Sequence, residues 1–354
     1  MGSNGAAAGG SRTVAVTGAG GYVGSQVVRL LLQQGHRVRG VVRDPDDAAK
    51  SDHLRALPGA EQRLELHGAD LMQPGAHDAA LSGCDWLCHL ASPVRLAARD
   101  PQRDIVEPAV TGTRNVLESA RRAGVARVAL TSSIAAVAAD EKPADYRFSE
   151  RDWNETATVA ASPYQASKLQ AERAAWDFHA ALPPAERFGL VALCPTVVLG
   201  PLQARVHARS SPANLRDLVR RKLPGCPRFA FGLVDVRDVA AAHLRALADP
   251  QAEGRYILSA GVMSMRQIAR LLAPRFAELP IPTWPLSDPL LYAAALFDKR
   301  LSWRYLWHNL GKRRRYDTTR STAELGLQYR PLEQTLVDTV RSFVELGLVR
   351  PRGK

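Results

Sequence analysis

Residues 13–24 read Thr-Val-Ala-Val-Thr-Gly-Ala-Gly-Gly-Tyr-Val-Gly, and no other stretch narrows so far what this chain can fold into. Val14, Ala15 and Val16 make a short apolar run of the kind that forms a strand buried on both faces. Gly18, Gly21 and Gly24 follow at three-residue intervals. Val23, Val27, Val28, Leu30, Leu31 and Leu32 then predict a mostly apolar helix that ends near Gly35. Missing β-carbons let a backbone approach a pyrophosphate, and the helix N-terminus offers N–H groups to its charge. A tight turn that merely needs glycine is the rival explanation, and the strand-to-helix context argues against it.

The following residues extend the pattern. His36 to Val42 predicts a second strand, at whose tip cofactor choice is made. An NAD site wants an acid about 20 residues past the glycines, for the ribose 2′-hydroxyl. Here Val41 and Val42 lead to Arg43, with Arg39 on the same strand and Asp44 one step late. Two guanidiniums and no acid suit a 2′-phosphate, although both arginines would also be ordinary surface charges. Leu64 to His67 predicts a third strand, after which Asp70 either accepts from an adenine amino group or caps the next turn. A fourth strand, Trp86 to Leu90, ends in the small residues Ala91-Ser92-Pro93. Asp104 to Arg122 predicts a long helix, and Val128 to Leu130 a fifth strand running into Thr131-Ser132-Ser133. Strands alternating with helices in this way imply an α/β fold, a Rossmann-type doubly wound parallel sheet.

Ser133 falls at the carboxyl end of the fifth strand, where open α/β sheets place their ligands. Pro163 then opens a helix with Tyr164 in its first turn and Lys168 one turn on, so phenol and ammonium share a face. A neighbouring ammonium steadies a phenolate and brings a group of pKa about 10 toward a useful range. Ser133 is placed to orient the same substrate oxygen.

These residues resemble the extended short-chain dehydrogenase/reductase family. Within it the similarity is to the branch of dihydroflavonol reductases, cinnamoyl-CoA reductases and NADPH-dependent aldehyde/ketone reductases. It rests on Val16 to Gly24, Val41-Val42-Arg43-Asp44-Pro45, Asp70-Leu71, His89 to Pro93, Thr131 to Ser133 and Tyr164 to Lys168. It continues through Ala171 to Trp176, Cys194 to Pro201 and Val234 to Ala240, and spans roughly residues 12–348. The resemblance implies that Gly18, Gly21, Tyr22, Val23 and Gly24 hold the pyrophosphate of NADPH or NADP+. Arg39 and Arg43 would then hold the 2′-phosphate, Asp70 and Leu71 the adenine. Ala91, Pro195 and Val198 would lie by the ribose and nicotinamide. Ser133, Tyr164 and Lys168 would do the chemistry, with Tyr164 and Lys168 also touching cofactor. Ser92, Pro93, Ser133 and Phe231 are the expected substrate neighbours. Asn115 would brace the sheet or serve a water relay. No Tyr-Gly pair follows Ser133, as in sugar-nucleotide epimerases, and no acidic pair stands there, as in sugar dehydratases. Both departures favour simple reduction of an aldehyde or ketone to the alcohol over a sugar-nucleotide epimerase or dehydratase. An alcohol or hydroxysteroid dehydrogenase would use the same parts, and Ser133, Tyr164 and Lys168 together speak against a non-catalytic NADP sensor.

Residues 12–200 are thus expected to form the NADP-binding unit after a disordered tail, 1–11. Residues 201–354 would be mainly a substrate lobe, with the segments around 229–260 returning to the first unit. The stretch Pro280 to Gly311, with Trp284, Trp303 and Trp307, predicts a helix roofing an apolar pocket, or else one lying on a membrane surface. The expected pocket lining is Phe229, Phe231, Trp284, Leu290, Leu291 and Tyr292. The net charge of +12 comes with arginines spread along the whole chain and no nucleic-acid module, which points to a basic surface suited to anionic cofactors. Cys84, Cys88, Cys194 and Cys226 form no CxxC pair and are expected as reduced thiols, and no metal site is expected. No apolar stretch spans a bilayer and no secretory segment is visible, so a cytoplasmic monomer or homodimer acting on a small-molecule carbonyl is the expectation.

Overall fold

The computed structural model describes residues 10–92, 98–143, 145–296 and 303–350. β1 (Thr13–Thr17) turns into α1 (Tyr22–Gln33), β2 (Arg37–Val42) and α2 (Ala48–Arg55). A single turn, α3 (Ala60–Arg63), leads to the outer strand β3 (Leu64–Gly68). The chain then crosses back through α4 (Asp78–Leu81), β4 (Trp86–His89), α5 (Glu107–Arg122) and β5 (Arg127–Thr131). The short β6 (Arg147–Phe148), α6 (Pro163–Ala181) and β7 (Gly189–Pro195) follow, and β10 (Gly254–Leu258) closes the sheet. The sheet runs β10-β7-β5-β4-β1-β2-β3 with every pairing parallel. The winding direction reverses between β1 and β4, so the loops leaving those two strands part and open a crevice at their carboxyl ends.

Strand periodicity explains the layers. Neighbours on β1 feed opposite faces: Val14 and Val16 pack with Val27, Val28 and Leu31 of α1. Ala15 joins Leu87, Val116, Leu117 and Ala120 on the other side. The expected long helix from Asp104 begins differently. Gln102–Val106 wind as a wider π turn, and Pro108, with no N–H to donate, stands where the regular helix starts.

Beyond β7 lies a second, three-stranded sheet in the order β11-β9-β8, made of β8 (Val197–Leu199), β9 (Ala230–Asp235) and β11 (Gly261–Ser264). α7 (Ala213–Val219), α8 (Val236–Ala248) and α9 (Met265–Leu272) pack around it. α8 also returns against α1 through Ala240, Leu244 and Leu247. The remaining elements are α10 (Asp288–Ala294), α11 (Trp303–Asn309), β12 (Arg315–Tyr316), α12 (Thr319–Ala323) and α13 (Leu332–Glu345).

The tryptophan-rich stretch departs from expectation. It holds two short helices, with residues 297–302 outside the described set. Leu291 and Leu306 turn inward, while Trp303 and Trp307 are 55% and 75% exposed. A seven-residue helix has one face to bury, and in α11 Leu306 takes it, leaving the i, i+4 tryptophans outside. Among the described residues no helix is long and apolar enough to cross a membrane.

Candidate active site

The crevice at the sheet's switch point is built by the glycine turn. Gly18 has φ +69°, and a β-carbon there would stand 2.9 Å from the Ala91 nitrogen. Gly21 donates its N–H to the Gly18 carbonyl at 2.9 Å, and a β-carbon on Gly24 would fall on that same carbonyl. Bare backbone therefore faces the crevice, with the N-terminus of α1 behind it. Thr17 sets the spacing: its Oγ1 accepts from the Leu90 and Ala91 N–H groups, each at 3.1 Å, and lies 2.7 Å from His89 Nδ1. Burial draws His89 down to about 3, so the ring is neutral, and with Thr17 Oγ1 already accepting two N–H bonds its hydroxyl is left to donate to Nδ1. Neither Thr17 nor His89 was singled out from sequence; a threonine directly before the first glycine was the available signal.

Tyr22 was expected at the pyrophosphate, but its side chain turns the other way. It is buried, and its hydroxyl donates to the Gly200 carbonyl at 2.8 Å. Gln26 Nε2 donates to the Pro201 carbonyl at 3.2 Å, and His207 Nε2 lies 3.3 Å from the Gly20 carbonyl. Tyr22 and Val23 thus have only main-chain N–H groups of the first helical turn for a phosphate.

At the tip of β2 the two arginines part company. Arg39, expected beside Arg43, is instead spent on α4. Its guanidinium donates to the carbonyls of Ala79, Ala80 and Ser82 and pairs with Glu65 at 3.5 Å. Carbonyls at a helix C-terminus lack partners of their own, which is why a cation settles there. Arg43 is exposed and makes no ion pair or hydrogen bond among the described residues. Lys50, unremarked in the sequence, begins near it in α2, with its backbone against Gly20 and its ammonium 3.1 Å from Asp47. Asp70 is exposed and accepts from the Met72 N–H at 2.9 Å, which is the turn-capping alternative. Leu71 is held from two sides: its side chain occupies the space over Gly112, and its carbonyl accepts from Asn115 Nδ2 at 3.0 Å. Asn115 is therefore a brace for that loop.

Ser133, Tyr164 and Lys168 meet at the carboxyl ends of β4 and β5. Tyr164 lies in the first turn of α6, and its phenol comes close enough to Ser133 to feel its side chain. Burial raises the phenol's pKa and the serine contact opposes the rise. Ser133 Oγ also accepts from the Ala135 N–H at 3.1 Å, which fixes its rotamer. Lys168 is buried and donates to Ser92 Oγ at 3.1 Å; burial lowers its ammonium to about 8, against the pull of the Glu172 carboxylate. Ser92, expected against substrate, here holds the lysine, and Pro93 lies outside the described residues. The neighbouring Ser132 faces inward and donates to Glu172, so the strand's alternation gives only the second serine to the site.

On the substrate side, Pro195 ends β7 and is buried, as is Val198 one turn of chain later. Val197 points into an apolar cavity of about 30 Å³ that it shares with Leu215, Leu218, Phe231, Met265 and Ile268. Phe229 and Leu291 are buried behind it. Trp284 and Leu290 do not line it: they are 46% and 52% exposed.

Residues 14–260 match the model of the NAD dependent epimerase/dehydratase family. Among curated relatives, cinnamoyl-CoA reductase CAD2 of Medicago truncatula is 37% identical, across 94% of this chain and 95% of its own length. Dihydroflavonol 4-reductase of Dianthus caryophyllus is 33% identical, across 77% of this chain and 75% of its own. Among solved structures, Gre2 of Candida albicans in complex with NADPH superposes with a TM-score of 0.79 at 30% identity, covering 95% of this chain and 99% of that one.

Proposed function

Since the chain belongs to the NAD dependent epimerase/dehydratase family, we propose that it is an NADPH-dependent reductase of hydrophobic or aryl aldehydes and ketones. The observation that carries this reading is the meeting of Ser133, Tyr164 and Lys168 beside the bare backbone of Gly18. The fit to a dinucleotide rests on that turn: β-carbons at Gly18 and Gly24 would collide with the Ala91 nitrogen and the Gly18 carbonyl, so only glycines let the chain fold this tightly ahead of α1. Gly18, Gly21 and Gly24 with the main-chain groups of Tyr22 and Val23 would hold it, Leu71 and Asp70 the adenine, and Ala91, Pro195 and Val198 the nicotinamide end. When bound, NADPH supplies a hydride to the carbonyl carbon and leaves as NADP+. Tyr164 holds the proton that goes to the carbonyl oxygen, and Ser133 orients that oxygen by a hydrogen bond. Lys168 keeps positive charge beside the phenol, which makes the proton easier to give up. The half-buried apolar side chains of Val197 and Phe231 favour substrates that bury hydrocarbon, at about 25 cal/mol per Å² of apolar surface.

A second reading is set by the cinnamoyl-CoA reductases, which match nearly the whole chain. Reduction of an acyl-CoA thioester would use the same three residues. NADPH oxidation followed over a panel of benzaldehyde-like, acetophenone-like and short-chain carbonyls, a cinnamoyl-CoA thioester and a sugar nucleotide tests both. Preference for the aryl carbonyls is expected. Preference for the thioester would transfer the assignment to the second reading, and no oxidation with any of them would overturn the reductase.

Cofactor choice is assigned to Arg43. Each charge-assisted contact is worth about 1.5–3 kcal/mol, so Arg43→Ala is expected to weaken NADPH by about ten- to hundredfold and leave NADH unchanged. Arg39→Ala should leave that ratio intact and lower the melting temperature, because its partners are carbonyls of α4. Titration of both cofactors against both variants checks this; the reverse pattern would return the 2′-phosphate to Arg39.

The lysine sets a limit on pH. Its ammonium is complete well below about 8 and is lost as pH rises through that value, while the raised Tyr164 stays protonated. Reductive kcat/KM is therefore expected to be level at acid pH and to decline above about pH 8. A profile flat to pH 10 would show that the charge on Lys168 is not needed.

A further inference from the structure

Resting on the reductase reading, we propose that Tyr316 sets the width of the substrate chamber and that Gly232 is the gap that admits its ring. β12 is short and far along the chain, yet it is fixed in place. It pairs in parallel with β6, Tyr316 opposite Phe148. The Arg315 N–H donates to the Tyr146 carbonyl at 3.1 Å, and the Asp317 N–H to the Phe148 carbonyl at 2.7 Å. The Tyr316 ring stacks on fully buried Phe148, with centroids 6.1 Å apart and planes 24° from parallel.

From that anchor the ring reaches across β9. A β-carbon on Gly232 would stand 2.5 Å from Tyr316 Cε2 and 2.7 Å from Thr196 Cγ2. Gly232 has no positive φ, so glycine is needed there for room and not for backbone conformation. Thr196 lies between Pro195, expected at the nicotinamide, and Val197, which lines the apolar cavity. The ring also packs on the apolar cluster that includes Ile134, the residue after Ser133. Tyr316 thus shares one apolar cluster with Ile134 and, over Gly232, one gap with Thr196, the residues that follow Ser133 and Pro195. These two sides flank the substituents of a carbonyl held by Ser133 and Tyr164. The residue is half-buried and its hydroxyl makes no hydrogen bond among the described residues, which leaves it for a polar group on the substrate.

The test uses Tyr316→Ala, Tyr316→Leu, Tyr316→Phe, Gly232→Ala and the double variant Gly232→Ala/Tyr316→Ala. The readouts are kcat/KM for propanal and for 2-acetylnaphthalene, NADPH affinity by fluorescence, and melting temperature. Tyr316→Ala is expected to raise the ratio of bulky to small substrate by about tenfold or more, the scale on which an apolar wall discriminates. Tyr316→Leu keeps an apolar side chain on Phe148 and should shift the ratio in the same direction, which covers a failure of the alanine variant to fold. Tyr316→Phe should keep the wild-type ratio, since neither probe substrate offers a polar group beyond its carbonyl. Gly232→Ala pushes the ring into the chamber and should lower the ratio. The double variant should recover the Tyr316→Ala value, because no ring remains to be displaced. NADPH affinity should stay within twofold throughout. If Tyr316 only anchors its strand, every variant will lower both substrates equally along with the melting temperature, and the assignment falls. Turnover with an unchanged ratio overturns this assignment alone; no turnover of any carbonyl by the wild type overturns the reductase reading with it.

Discussion

Tyr164→Phe is expected to lower turnover by about 10²–10⁴-fold while NADPH affinity barely moves. The variant keeps the ring, its packing in the first turn of α6 and the position of Lys168, and removes one oxygen. That oxygen is the hydroxyl that approaches Ser133, while Lys168 one turn along the helix holds Ser92. Ser133 cannot replace it as the acid, because an aliphatic hydroxyl is far less acidic than a phenol. Steady-state turnover and fluorescence titration of NADPH, measured on the same preparation, separate chemistry from binding. Turnover within tenfold of wild type would place the proton donor elsewhere, and a parallel loss of cofactor affinity would show the phenol to be an anchor.

The largest effect on stability should come from Glu172, two turns further along the same helix. It is 1% exposed and ties together four neighbours. Arg255 Nε donates to it at 2.6 Å, Trp176 Nε1 at 3.3 Å, and the Ser132 hydroxyl and Cys194 thiol approach from below. Arg255 is itself only 7% exposed and lies 3.8 Å from the centre of the Trp153 ring. Glu172→Ala leaves that guanidinium buried without its counter-charge, and breaking a buried pair on one side costs about 3–5 kcal/mol. The exposed pair between Arg173 of the same helix and Glu155 in the turn before it is the control, worth about 0–1 kcal/mol. Denaturant unfolding of Glu172→Ala and Arg173→Ala should reproduce that contrast, and equal losses would refute it. Glu172→Ala also removes the carboxylate that opposes the depression of Lys168, so the alkaline decline in activity should move to lower pH.

What could be read from the residues alone was local. A strand buried on both faces, a glycine turn and an apolar helix announce themselves within a dozen residues, and a tyrosine four residues before a lysine shares its helix face by geometry. The placement of Ser133 over Ser132 followed from strand alternation once the strand was known. The misreadings came from contacts between distant segments. Arg39 and Arg43 look equivalent in the sequence, and only the landing of α4 on β2 gives the first of them carbonyls to satisfy. The aromatic stretch near 303 carries no sign of which face finds a partner, so burial is expected at Trp303 and Trp307 where the structure gives it to Leu306. Tyr316 escaped notice because its meaning depends on strand partners at 147–148 and a gap at 232, neither of which has a nearby sequence signal.

The glycine turn and the lobe are fastened together by the bonds from Tyr22 to Gly200, from Gln26 to Pro201 and between His207 and Gly20. Any adjustment of the turn on taking up a dinucleotide is therefore felt at Gly200 and Pro201, just past β8. Two ligands that share such a fastening have linked free energies. The factor by which the first changes the affinity of the second must equal the factor by which the second changes the first, so either titration, run with and without the other ligand, measures the same coupling free energy.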